Sequence, residues 1–205
     1  MSEKLISIVE NAQVNAENNI SKLSPDILGI DGMSGNQGRH FLNNLVFDGC
    51  RYLEVGSHLG STLCSALYLN NPEISFSVDL TLHSQFTENV NRFVTTPHTT
   101  ITGDCFNIDL KQYNISDIDV YFFDGPHSMR DHEMALEYYI DCLADTFIFA
   151  VDDWNGVEAR EGTETSIKAL GLEVLHKVGL PEDLSNYGNN RHGYWNGIGV
   201  YVLQK

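Results

Sequence analysis

Apolar residues along this chain come in short runs, separated by longer stretches in which they recur every three or four positions. The runs Arg51–Val55, Ile74–Asp79, Thr99–Ile101, Asp119–Phe123, Thr146–Val151, Leu172–Val178 and Ile198–Leu203 predict strands. Between them, residues 60–69, 83–93, 128–143 and 157–170 predict helices. Alternating strands and helices imply a mainly parallel sheet covered on both faces. The last two strands are joined by a polar loop, Pro181 to Gly197, without an intervening helix, so they should pair antiparallel at one edge. Upstream, residues 2–22 carry a helical pattern with Leu5, Ile6, Ile8, Val9, Val14 and Ile20 as contacts. Pro25 and the segment Gly29 to Gly35 break it. A short helix over about 37–47 then places Phe41, Leu42, Leu45 and Val46 on one face. Residues 1–48 therefore read as an N-terminal helical cap, and 49–205 as the main domain.

Composition narrows the partners. No apolar run approaches the ~20 residues of a membrane span. The stretch Met1 to Glu10 has no long apolar core, so a secretory signal is not expected. Cys50, Cys64, Cys105 and Cys142 are scattered with no C-x-x-C pair, which predicts isolated buried thiols in a reducing, cytoplasmic setting. A formal net charge of −16, from 12 basic and 28 acidic residues, repels phosphate backbones and anionic membranes. A small molecule is the expected partner, rather than nucleic acid or a membrane.

Candidate chemistry begins at Arg51-Tyr-Leu-Glu-Val-Gly-Ser-His-Leu-Gly-Ser-Thr62, where a strand runs through a glycine turn into a helix. Gly56 and Gly60 let a ligand approach the backbone, and amides opening the helix face it. The second strand ends on Asp79, 23 residues after Gly56. A carboxylate beyond a parallel strand's carboxyl end can accept from both hydroxyls of a ribose; it can also cap the next helix. Thr102-Gly-Asp-Cys-Phe106 follows the third strand and reads equally as an ordinary turn. The fourth strand runs into Asp124-Gly-Pro-His127 and the fifth into Asp152-Asp153-Trp154. Three carboxylates and an imidazole thus reach one rim. Such acids repel unless protons or a cation compensate them, and hard oxygen ligands suit Mg²⁺. His127 is placed to take a proton at neutral pH. Asp152 and Asp153 are adjacent in an extended chain, so they share an ion only if the backbone bends there.

The turn Glu54-x-Gly56-x-x-x-Gly60 resembles motif I of class I S-adenosylmethionine (SAM)-dependent methyltransferases. With Asp79, Asp124-Gly-Pro-His127 and Asp152-Asp153, residues 30–205 resemble the branch of small-molecule O-methyltransferases that act on sugars and macrolides. The resemblance implies a Rossmann-like α/β fold with a seven-stranded, mainly parallel sheet, one antiparallel edge strand and helices on both faces. It implies that Gly56, Ser57, Gly60 and Ser61 approach the methionine part of SAM, with Glu54 anchoring the loop or the amino group. Asp79 would bind ribose, Asp104 and Cys105 adenine, and Asp124 would also border the cofactor. Asp124, Asp152 and Asp153 would be metal ligands and His127 the base. The expected reaction is O-methylation of a hydroxyl on a small polar molecule such as a sugar or glycoconjugate.

Several features fit more than one reading. The glycine-rich segment Met33 to Arg39 either closes over SAM, with Ser34 on its carboxylate, or is an ordinary loop. Trp154 and residues 155–163 are placed to form a substrate wall. Tyr187, Asn190, Arg191, His192, Tyr194 and Trp195 crowd the late loop, as a ligand or a homodimer contact. His58, His83 and His98 suggest only packing or surface. Two other functions compete: a nicotinamide-dependent oxidoreductase, which calls for a third motif glycine where this turn has none, and a non-catalytic SAM- or metal-binding module.

Overall fold

A computed structural model describes residues 1–182 and 190–205. Its strands are β1 (Arg51–Val55), β2 (Ile74–Asp79), β3 (His98–Thr102), β4 (Ile118–Phe123), β5 (Leu143–Val151), β6 (Glu173–Leu180) and β7 (Ile198–Gln204). They form one sheet in the order β3-β2-β1-β4-β5-β7-β6. The first five run parallel, while β7 is antiparallel to both β5 and β6. The antiparallel ending expected from the sequence is present, with β7 one place in from the rim.

Side-chain alternation in the strands divides the core in two. Tyr52, Val120, Phe122, Ile148, Ala150, Val200 and Val202 face one way. Leu53, Val55, Tyr121, Phe123, Phe147, Phe149, Val151, Tyr201 and Leu203 face the other. On the first face lie α1 (Ser2–Glu17), α3 (Asn36–Leu45) and α4 (Ser61–Leu67), together with Phe86 from α5 (Ser84–Phe93). The second face packs under α6 (Met129–Tyr139) through Ala135, Leu136 and Tyr139, and under α7 (Val157–Ala169) through Ile167. Each fully buried large side chain contributes about 1.5–3 kcal/mol.

Local chemistry moves some of the expected boundaries. The buried stripe of α1 is Leu5, Val9, Ala12 and Ala16. Val14 and Ile20, expected as contacts, are 58% and 56% exposed. Val14 faces away from that stripe, and the helix has already ended when Asn19 turns left-handed at φ 54°. Pro25 does not only interrupt the chain: it opens the short helix α2 (Pro25–Leu28), in the first turn where its missing N–H costs nothing. The helix α6 starts in a capping box between Ser128 and Asp131 and tightens into a 3₁₀ turn over Ile140–Cys142. Among the described residues, no helix is long and apolar enough to cross a membrane.

Candidate functional site

The parallel strands end together, and their turns line one cleft of about 460 Å³. Its wall includes Val55, Gly56, Ser57, His58, Ser61 and Thr62 from the β1 turn, and Val78, Asp79 and Leu80 from the end of β2. Gly103, Asp104 and Cys105 follow β3, Asp124 to His127 follow β4, and Met33 and Ser34 reach over from the N-terminal helices. The ladder continues one residue past the strands: the amides of Gly56 and Asp124 donate to Val78 O and Val55 O, each at 2.8 Å.

Glycine is required where these turns meet. Gly56 has φ +88°, and a Cβ there would sit 1.7 Å from Asp124 O. Gly60 caps α4 in the left-handed region at φ +84°. Beneath the turn, Glu54 is fully buried; its Oε2 accepts from Tyr52 OH at 2.7 Å and its Oε1 from Thr62 Oγ1 at 2.9 Å. Burial pushes its carboxyl up to about 7, against the hydroxyls that donate to it. Glu54 and Gly60 thus stand behind the wall rather than on it, and of the two anchoring partners Tyr52 had no functional signal in the sequence.

Asp79 ties two loops. Its Oδ2 accepts from His58 N–H at 2.7 Å and its Oδ1 from Thr81 N–H at 3.0 Å. A carboxylate has about four acceptor positions, so room remains for two ligand hydroxyls. The competing helix-cap reading is not realised: α5 is capped by His83, with no side-chain cap. Asp104 Oδ1 accepts from Phe106 N–H at 3.0 Å, the Asp-turn geometry, while the residue still borders the cleft. Phe106 lies behind, with ring centroids 6.1 Å from Phe123 and 6.0 Å from Tyr138. Ser34 Oγ lies 3.0 Å from Ser61 Oγ, so the upstream loop joins the turn after β1 directly.

Because Phe123 pairs with Val151, Asp124 and Asp152 emerge side by side. Burial and the neighbouring acids hold Asp124 well above the usual carboxylate range, and burial and Asp153 push Asp152 up to about 7. Two such carboxyls side by side repel unless protons or a cation compensate them. The backbone does bend after them, at Asp153 (φ 54°). That bend aims Asp153 elsewhere. Its Oδ2 accepts from His127 Nδ1 at 2.8 Å, and its Oδ1 from Asn196 Nδ2 at 2.7 Å. His127 is raised above its ordinary value by this hydrogen bond, and Asp153 is lowered by it.

The expected Mg²⁺ site finds no support in the geometry of the described residues. Asp153 is committed to His127 and Asn196, while Asp124 and Asp152 stand side by side. Among the described residues no group of three or more His, Cys, Asp or Glu is arranged to hold a metal ion. Trp154 is also not a substrate wall: it is 3% exposed and packs on Tyr201 and on the backbones of Gly179 and Gly199. His58 and His83 pack edge to face, with centroids 5.2 Å apart, while His98 bonds Ser75, Ser77 and Thr100. In the late loop Tyr194 is buried against α3, and Tyr187 lies outside the described residues.

The residues present fit a SAM-type cofactor. Ser57 Oγ is buried without a hydrogen-bond partner among the described residues, Asp79 keeps open acceptor positions, and Val55, Val78, Leu80 and Cys105 supply apolar walls. Sheet order and cleft together define the Rossmann-like fold of class I SAM-dependent methyltransferases. No model of a known protein family matches the sequence, and no curated protein is significantly similar to it. Solved structures do match. One is a putative SAM-dependent methyltransferase from Streptococcus mutans, with TM-score 0.61 and 16% identity, covering 83% of this chain and 48% of that one. This chain therefore spans about half the length of that protein. An O-methyltransferase from Bacillus cereus in complex with S-adenosylhomocysteine (SAH) has TM-score 0.58 and 15% identity, over 97% and 91% of the two chains. A putative RNA methyltransferase from Pyrococcus horikoshii has TM-score 0.58 and 14% identity, over 95% and 96%.

Proposed function

We propose that the protein is a SAM-dependent methyltransferase acting on a hydroxyl of a small polar molecule such as a sugar or glycoconjugate. The observation that carries this reading is that the Gly56 turn, Asp79 and the Asp124–His127 turn all open onto one cleft. SAM supplies an electrophilic sulfonium methyl, so the protein has to orient the reactants and prepare the nucleophile. Gly56, Ser57, Gly60 and Ser61 shape the methionine end, with Glu54 anchoring the turn through Tyr52 and Thr62. Asp79 takes the ribose hydroxyls, and Asp104 with Cys105 borders the adenine. His127 Nδ1 donates to Asp153, which leaves Nε2 to take the acceptor's proton as the acceptor oxygen replaces sulfur on the methyl carbon, with SAH leaving. Asn196 holds Asp153 in that orientation. Asp124, with Asp152 beside it, borders the cofactor on the cleft wall.

A small acceptor is favoured over RNA by the 28 acidic against 12 basic residues, which oppose a phosphate backbone. Residues 1–48 serve as the cap and 49–205 as the cofactor domain. The four cysteines are free and buried, each thiol pushed up to about 12 by burial, which suits a reducing, cytoplasmic setting. A nicotinamide reading is disfavoured by the antiparallel β7, which departs from the dinucleotide-binding strand order. Calorimetry with SAH and with NAD, titrated separately, tests the choice: SAH should bind and NAD should not, and the opposite result overturns the proposal. His127→Ala should lower turnover by roughly 10²–10⁴-fold with SAH affinity kept; loss of affinity with turnover kept would make His127 a binding residue instead.

A further inference from the structure

Two residues beyond Ser34, on the far side of the same segment, the chain borders a second cleft of about 520 Å³. Asn19, Asn36, Gln37, His40, Asn190 and His192 supply its polar side chains, and Leu28 is the one apolar side chain. No Asp, Glu, Lys or Arg is among these lining residues, although the chain carries 28 acids. Amide and neutral imidazole groups each offer a donor and an acceptor without charge. His40 is only 5% exposed. Its Nδ1 lies 2.6 Å from Ser21 Oγ, and Nε2 has no partner among the described residues. Burial, and then Arg39, lowers the pKa of this ring, so it is neutral at physiological pH.

The wall is held in place by backbone. Asn36 N–H donates to Arg191 O at 2.8 Å and Gln37 N–H to Gly193 O at 3.0 Å, so the first amides of α3 are already spent and offer little to an anion. Asn190 Oδ1 accepts from His192 N–H at 3.0 Å. The side chains of Asn19 and Asn36 make no hydrogen bond among the described residues.

We propose that this cleft binds an uncharged, hydroxyl-rich ligand, a mono- or disaccharide, at a site separate from the cofactor. Among the described lining residues a charged ligand finds no counter-charge, and an apolar one would cover only Leu28. Hydroxyls that both donate and accept match the lining residue for residue, and the volume lies in the roughly 300–1,000 Å³ range of small-molecule sites. The site stands independently of the methyltransferase reading. Its link to the cofactor cleft is the segment 33–37, which lines one with Ser34 and the other with Asn36 and Gln37.

The test uses the full chain labelled with ¹⁵N and titrated with glucose, galactose, maltose and sucrose, with inorganic phosphate and N-acetylglycinamide as controls. At least one sugar should shift the side-chain amide signals of Asn36, Gln37 and Asn190 saturably, leaving the backbone signals of Ser57 and Asp79 in place. Asn36→Ala and Gln37→Ala should each weaken that sugar roughly tenfold, with SAH affinity and circular dichroism unchanged. The proposal is overturned if no sugar of the panel shifts these signals, if phosphate or the amide does so in preference, or if the shifts fall at Gly125 and His127. Unaltered sugar affinity in both variants also overturns it. SAH binding is read separately, so failure here leaves the methyltransferase reading distinguishable.

Discussion

Glu54→Gln should stabilise the protein above neutral pH. The carboxyl is fully buried and held at about 7, against an ordinary value of 4.5. Below about pH 4.5 both the folded and the unfolded chain carry the proton, and Glu54 does not affect the balance. As pH rises from 4.5 to 7, the unfolded chain releases a proton that the folded chain keeps, so stability falls. Above 7 both states are ionised and the whole cost remains, roughly 3 kcal/mol at ~1.4 kcal/mol per decade of proton activity. Glutamine does not titrate. Its amide oxygen can still accept from one of the Tyr52 and Thr62 hydroxyls, and the weakened second bond costs about 1 kcal/mol. The variant should therefore gain about 2 kcal/mol near pH 8 and lose about 1 kcal/mol near pH 4.5. Urea unfolding of both proteins across that range, followed by circular dichroism, measures the difference directly. A difference that does not change with pH would mean that Glu54 titrates alike in the folded and unfolded chain, and the burial argument would fail.

Asp79→Ala should weaken SAH binding roughly 10–100-fold, the loss expected from one or two hydrogen bonds to a charged group; calorimetry giving an unchanged affinity would remove the ribose role. Asp153→Asn should lower the pKa of His127, whose rise is caused first by its hydrogen bond to Asp153. Activity that needs neutral His127 would then rise at lower pH than in the parent, with a lower plateau, and a pH–rate profile with an unmoved acid limb would separate the two residues. Gly56→Ala should abolish SAH binding, because its left-handed φ costs about 1–2 kcal/mol and its methyl would displace the Asp124 carbonyl. A folded variant with parental affinity, measured by calorimetry, would refute that.

The sheet was legible because its strands are dense in β-branched and aromatic residues, and because the 3.6-residue stripes between them match helices that are buried on one side. Helix ends were less so. Val14 and Ile20 look apolar in sequence, but only packing tells that the stripe of α1 runs through Leu5, Val9, Ala12 and Ala16. That Asp79, Asp124 and His127 line one cleft was legible because strand ends announce themselves. The division of labour among the acids was hidden. Nothing at Asp153 signals a left-handed turn, since no glycine stands there, and Asn196 is 43 residues away in the chain. Trp154 misled for the opposite reason: its neighbours suggested a ligand, while two glycines on β6 and β7 make space for its ring in the core.

The first helix and the last strand share a core: Leu5, Val9, Ala12 and Ala16 of α1 belong to the same apolar cluster as Val200 and Val202 of β7. During synthesis, α1 and α3 leave the ribosome long before β7 exists to receive them, so the part of the stripe that meets β7 stays uncovered for most of translation. Chaperone dependence should therefore track that interval, and truncating β7 should leave a nascent chain that sticks to its copies through α1.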